Sequence, residues 1–264
     1  MISVVLATHN EEKNITRCLL AVKSFADEII VVDGESEDKT VELAEKLGAK
    51  VTATTNKANF HINKQQAMDL ATGDLILQLD ADEVVDDELA AFIQVLHQEI
   101  QKPSSESALP AGWWIKRKNW FLGRFLSKGG QYPDAVIRLY RKGLAKLPQK
   151  DVHEQMVVKG EVAWAKGHLL HYGNHNFSEY LRKFNTYTTF KSTQLKELGT
   201  KVNILTAAQF LIWKPVFTFL MIFFRHKGLL DGAAGFVFAI FSGLHHAVAY
   251  LKLWEIYERD HHLS

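Results

Sequence analysis

Short apolar runs closed by acidic or glycine-bearing turns recur through the first hundred residues. Residues 2–7 predict a first strand, with Thr8-His9-Asn10-Glu11-Glu12 as the polar turn at its end. Over 14–25, Ile15, Leu19, Leu20 and Val22 recur at helical spacing. Residues 28–32 read as a second buried strand, ending in Asp33-Gly34-Glu35-Ser36-Glu37-Asp38. Asp38 or Ser36 is suited to cap the next helix, which runs through Leu47 and stops at Gly48. A third strand follows at 50–54, then a short helix at 62–71 closed by Gly73. Leu75, Ile76, Leu77 and Leu79 then form a buried strand that delivers Asp80-Ala81-Asp82-Glu83. This alternation predicts an α/β fold with a doubly wound, mostly parallel sheet, which binds ligands at the carboxyl ends of its strands.

The pattern changes after a proline- and serine-bearing joint at 102–111. Residues 112–118 and 135–140 read as strands, with Gly129-Gly130 and Tyr132-Pro133-Asp134 between them. Val152-His153-Glu154 and His168-Leu169-Leu170-His171 come next, then a helix at 176–198 with Phe177, Tyr180, Leu181, Phe184 and Tyr187 near one face. From about Val202 the chain becomes apolar and aromatic. Residues 204–224 and 229–251 are each long enough to cross a bilayer as a helix. Lys214-Pro215 interrupts the first, and Asp231, Gly232, Gly235 and His245-His246 interrupt the second. A spanning hairpin would put Arg225-His226-Lys227 across the membrane, against the positive-inside tendency. Attachment in the membrane interface is therefore expected, with a packed helical subdomain or a dimer contact as the second reading and true spanning as the third. The expected division is 1–175, with halves 1–101 and 112–175, followed by a helical membrane-associating region at 176–264.

Composition narrows the functional classes. A net charge of +1 over 264 residues gives no overall field for nucleic acid. Cys18 is the only cysteine, so no intramolecular disulfide forms and a reducing compartment suits the chain. The N-terminus enters a strand pattern at once, and no secretion signal is expected. Neither a dinucleotide-binding G-x-G-x-x-G after the first strand nor a P-loop occurs, and His153-Glu154 lacks the second histidine of a zinc-protease motif.

Two carboxylates one residue apart, Asp80 and Asp82, at a strand end suit a hard divalent cation that shares its shell with phosphate. With acidic turns also after strands one and two, the chain resembles a family 2 glycosyltransferase of GT-A fold, similar to bacterial enzymes of lipopolysaccharide core or lipid-linked glycan synthesis. The resemblance rests on Val4–Glu12, Val31–Thr40 and Ala71–Glu83, then on Tyr132-Pro133-Asp134, Arg138-Leu139-Tyr140-Arg141, Val152-His153-Glu154, Leu170-His171-Tyr172 and Gly228-Leu229-Leu230-Asp231-Gly232. These pieces span nearly the whole chain in the expected order.

The resemblance implies a nucleotide-sugar donor, a lipid-linked saccharide acceptor, and Mg2+ or Mn2+ as cofactor. Asp82 is then the first metal ligand, with His171 completing the site and Asp80 either on the ribose or beside the metal. Glu11 and Asp33 hold base and ribose, Thr8 and Ala81 also bind the nucleotide sugar, Lys64 and Arg138 meet phosphate, and Glu154 is the general base of an inverting transfer. Each has a plainer reading alone. Asp80-Ala81-Asp82 can be a solvated turn, His171 a half-buried strand residue, Glu11 a helix-terminal charge, and Glu154, Lys64 and Arg138 surface charges. Leu75 and Gln65 stand where relatives often carry Trp and Asn. The implied location is the cytoplasmic face of the inner membrane, peripheral or monotopic. Alternatives are transfer to polyprenyl phosphate, a sugar-phosphate nucleotidyltransferase, and a non-catalytic membrane-bound nucleotide-binding protein.

Overall fold

The computed structural model describes residues 1–102, 109–148 and 155–263. They fall into two compact units, Met1–Lys118 with Asp134–Gly173, and Asn119–Pro133 with the residues from 174 on. In the first unit, β1 (Ile2–Thr8), β2 (Glu28–Gly34), β3 (Lys50–Thr54) and β4 (Leu75–Leu79) pair in parallel in the order β3-β2-β1-β4. Successive residues of β1 serve opposite faces. Val4 and Leu6 join a cluster with Ile15, Leu19 and Val31, while Val5 joins Ile30, Ala67 and Met68. Covering both faces is why these strands read as continuous apolar runs. α1 (Ile15–Val22) packs on the first face and α3 (His61–Leu70) on the second, with α2 (Thr40–Lys46) beside α1.

The sheet is mixed beyond β4. β5 (Glu83–Val85), β6 (Gly112–Phe121), β8 (Asp134–Arg141) and β11 (Val162–His171) extend it in the order β4-β8-β6-β11-β5, where β4–β8, β8–β6 and β11–β5 are antiparallel. β7 (Arg124–Leu126) pairs with the end of β6, and β9 (Ala145–Lys146) forms a small ribbon with β10 (Val157–Val158). The fold is thus the expected GT-A type. β5, β7 and α4 (Asp87–Ile100) are additions to the sequence reading. Asp86 caps α4 by accepting the Leu89 N–H at 2.9 Å, and Asp87 and Glu88 follow in its first turn. At α2 the N-cap position is Lys39, whose side chain makes no cap bond; Asp38 just before it accepts from the Thr40 N–H at 2.9 Å, whereas Ser36 turns back to Asp33.

In the second unit α5 (Phe177–Glu197) starts at Asn176, whose side chain accepts the Glu179 N–H. Two long helical arms follow, Ile204–Arg225 and Gly232–Leu263, joined through a 3-10 turn at Gly228–Asp231. The expected break at Lys214-Pro215 is absent. The first arm runs through it, because a π turn at Gln209–Trp213 immediately before accommodates the proline's missing donor and its ring.

Candidate active site

Strand register brings the acidic turns together. Thr8 pairs with Asp33 across β1–β2, and Leu6 pairs with Leu79 across β1–β4, so Thr8, Asp33 and Asp80 reach one edge of the sheet. A pocket of about 280 Å³ opens there, lined by Thr8, His9, Glu11, Asn56, Phe60, Asn63, Lys64, Asp80, Ala81, Asp82 and His171. Seven residues singled out from sequence share this one cavity: Thr8, Glu11, Lys64, Asp80, Ala81, Asp82 and His171.

Asp82 and His171 meet for a reason the sheet supplies. Asp82 immediately precedes β5, and β5 pairs with the end of β11 so that Glu83 lies opposite His171. The Tyr172 N–H donates to the Asp82 carbonyl at 2.8 Å, and the Arg17 guanidinium lies 3.6 Å over the Tyr172 ring. His171 Nε2 then stands 3.2 Å from Asp82 Oδ2. A Cβ on Gly173 would lie 2.8 Å from the His171 ring, so the glycine leaves room for the imidazole.

Asp80 is held differently. Lys64 Nζ pairs with its Oδ1, and Arg138 Nη2 pairs with its Oδ2 at 2.5 Å. Burial opposes its ionisation, yet the Arg138 and Lys64 charges outweigh that and hold its carboxyl well below the usual carboxylate range. Burial pulls the Lys64 ammonium down, with Arg138 adding to the effect and Asp80 resisting it. For Arg138 burial is again the opposing influence, and Asp80 and Glu83 together push its guanidinium up.

A second tier braces this pair. Glu83 is fully buried and lies 3.4 Å from Arg138 Nη2 and 3.1 Å from Arg117 Nη1. Arg117 in turn reaches Asp134 at 2.7 Å, and the Asp80 N–H donates to Glu83 at 3.0 Å. The alternation Asp80–Arg138–Glu83–Arg117–Asp134 leaves each of these buried or half-buried charges beside an opposite one, which is the condition for keeping them there. Sequence reading found Asp80 and Arg138 but missed Glu83, Arg117, Gln78 and the pocket residues His9, Asn56, Phe60 and Asn63.

Arg138 is not on the pocket wall and contacts Asp80, Gln78 and Glu83. Asp33 is buried, accepting from Thr8 Oγ1 at 2.8 Å, Ser36 N–H at 2.8 Å and Ser36 Oγ at 2.6 Å. It shapes the turn beside the pocket. Glu11 accepts from Asn14 Nδ2 at 2.8 Å. Gln65 faces away, to Asp69 and the Leu147 N–H. Glu154 lies outside the described residues, as do Val152 and His153.

The donor set on the pocket wall suits a divalent cation: a carboxylate oxygen and an imidazole nitrogen side by side, with a second carboxylate two residues away. Among the described residues no group of three His, Cys, Asp or Glu side chains is disposed to hold a metal by itself. Asp82 and His171 are the residues that would hold such an ion, and the chemistry it would supply there is neutralisation of phosphate charge.

The glycosyl transferase family 2 model matches residues 3–146, and the chain belongs to that family. It is a glycosyltransferase. An uncharacterized glycosyltransferase of Rickettsia typhi is 29% identical over 97% of this chain and 87% of its own length. The lipopolysaccharide core biosynthesis glycosyltransferase LpsC of Rhizobium meliloti is 28% identical over 98% of this chain and 92% of its own. Among solved structures, S. aureus TarS aligns with a TM-score of 0.48 at 19% identity, covering 88% of this chain, which spans 45% of TarS.

Proposed function

We propose that this chain is an inverting hexosyltransferase that uses a nucleotide sugar, a UDP-sugar by family resemblance, and extends a lipid-linked saccharide such as lipopolysaccharide core at the cytoplasmic face of the membrane. The observation that carries the donor half is the pocket in which Asp82 and His171 stand 3.2 Å apart beside an Asp80 clamped by Lys64 and Arg138. The acceptor half is supported by the similarity to LpsC along 98% of the chain.

The chemistry requires an acceptor hydroxyl oxygen to attack the anomeric carbon while the bond from that carbon to the diphosphate oxygen breaks. The bond pair leaves with the diphosphate, and the hydroxyl proton passes to a base, for which Glu154 is our assignment. A divalent cation, when bound, supplies neutralisation of the leaving diphosphate. Asp82 and His171 would hold it. Lys64, on the pocket wall, adds positive charge near the same phosphates, while Arg138 fixes Asp80 so that its carboxylate keeps one orientation.

The test is transfer from a panel of UDP-hexoses to lipid-linked saccharide extracted from membranes, read by mass spectrometry and by the anomeric coupling of the product. One added hexose of inverted configuration is expected, with Glu154→Gln binding donor normally but transferring at least about a hundredfold more slowly. Retention of configuration, or no transfer to any saccharide acceptor, would overturn the proposal.

A further inference from the structure

The second unit holds an apolar surface that its own packing does not cover. Along the first arm Ile204, Leu205, Ile212, Trp213, Val216, Phe217, Leu220 and Phe224 are all exposed, and along the second Phe236, Leu244, Leu251 and Trp254 are too. Only 6% of the most apolar stretch of the first arm is buried. Exposure on this scale marks a surface that meets another phase or partner. At 22 residues the arm is about 33 Å long, enough to cross a bilayer, so length alone does not say how it would meet one.

The third helix decides. α5 runs alongside the second arm from end to end. Phe177 and Tyr180 pack on Phe241 near the start, Lys252 Nζ donates to Asn185, Thr188 and Thr189 in the middle, and Lys196 pairs with Asp260 at 2.7 Å at the finish. The first arm packs against the same second arm in the opposite sense. Gly243 sits where a Cβ would come within 2.6 Å of the Pro215 carbonyl oxygen, His246 Nε2 meets Thr218 Oγ1 at 3.1 Å, and Tyr250 meets Thr206 at 2.8 Å. A membrane-crossing hairpin would therefore take α5 through the hydrocarbon with it. α5 carries Glu179, Arg182, Lys183, Lys191, Lys196 and Glu197. A charge near the bilayer centre costs about 2.5–3.5 kcal/mol, so six charges on a helix drawn through the hydrocarbon weigh against that arrangement.

The joint at the hairpin's turn points the same way. Asp231, buried, accepts from the N–H groups of Ser127 and Lys128 and from Ser127 Oγ at 2.8 Å, and the Gly129 N–H donates to the His226 carbonyl. The turn is thus bound to a polar segment bearing Arg124 and Lys128. Charge along the hairpin is one-sided. Between Lys201 and Trp254 the sole acid is Asp231, whereas Lys201, Lys214, Arg225, Lys227 and Lys252 are basic.

We propose that the two arms lie in the plane of one leaflet of an anionic bilayer, exposed aromatics in the acyl boundary and lysines and arginines at the headgroups, with the hairpin's turn and its open end on the same side. In-plane helices of this kind combine apolar burial with attraction to anionic lipid. This deepens the membrane part of the proposed function and is independent of the sugar chemistry.

The test uses the full chain in bacterial membranes. Glu197→Cys, at the far end of α5, and His226→Cys, at the hairpin turn, are each treated with a membrane-impermeant maleimide in spheroplasts and in inverted vesicles. Wild type, with its single buried cysteine, gives the background. Labelling of both positions only in inverted vesicles is expected, and labelling of the two from opposite faces would overturn the proposal. A flotation assay with purified protein covers the lipid chemistry. Binding should be several-fold stronger to vesicles of phosphatidylcholine with phosphatidylglycerol than to phosphatidylcholine alone. Ile212→Glu combined with Phe217→Glu should weaken it at least about tenfold. No flotation of wild type, or no dependence on anionic lipid, would contradict it. Opposite-face labelling with intact transferase activity would sink this inference alone, and same-face labelling with no activity would sink only the transferase reading.

Discussion

Asp80 and Asp82 are two residues apart and chemically unlike. Asp82 faces the pocket beside His171, while both oxygens of Asp80 already carry a cation partner. Lys64→Met leaves Asp80 paired with Arg138 but removes a pocket cation, and should weaken nucleotide-sugar binding about tenfold with little change in stability; titration calorimetry and urea unfolding separate the two. Glu83→Gln has the opposite signature. It leaves Arg117 and Arg138 facing a neutral group inside the protein, and should cost about 3 kcal/mol in urea unfolding. The acidic strand ends were legible in the sequence because they interrupt apolar runs. The brace was not: Arg117 and Arg138 lie 34 and 55 residues from Glu83, and only the pairing of β8 and β6 brings them together.

At the scale of elements, β1, β2 and β4 are legible because helices cover both faces and leave no polar alternation to misread. α4 was equally available, since Leu89, Ile93 and Leu96 are its buried positions at helical spacing, and the run of acids before it obscured the pattern. β5 and β7, of three residues each, are too short to show a period. The sequence also could not reveal that Glu28 ties β1, β2 and the turn before β4 into one hydrogen-bonded unit. Glu28 accepts from Ser3 Oγ at 2.6 Å, from the Thr72 N–H at 2.6 Å and from Thr72 Oγ1 at 2.8 Å. Burial alone would raise its pKa, but these bonds lower it to about 2. A depressed folded-state pKa means the stabilisation is complete above the unfolded value and is lost as pH falls through the folded one. Wild type should therefore lose stability steadily from pH about 4.5 down to about 2, and Glu28→Gln should be about 2 kcal/mol less stable at neutral pH with a flatter acid limb, as read by urea unfolding across that range.

Taken whole, the molecule combines two units of different chemistry. One carries a polar pocket at a sheet edge, and the other an apolar surface with basic residues along it. The tail's character was plain from hydropathy, but its relation to a membrane was not, because that depends on which polar helix packs beside it. The central claim concerns the pocket: that Asp82 and His171, with Asp80 fixed behind them, form the donor site of a metal-dependent glycosyltransferase. Calorimetric titration of the full chain with a panel of nucleotide sugars, with and without Mn2+, on wild type and Asp82→Ala, tests it most directly. The account predicts tight binding of one nucleotide sugar that weakens at least about a hundredfold when either Mn2+ or the Asp82 carboxylate is removed. Binding that is indifferent to both, or no binding of any nucleotide sugar, would contradict it.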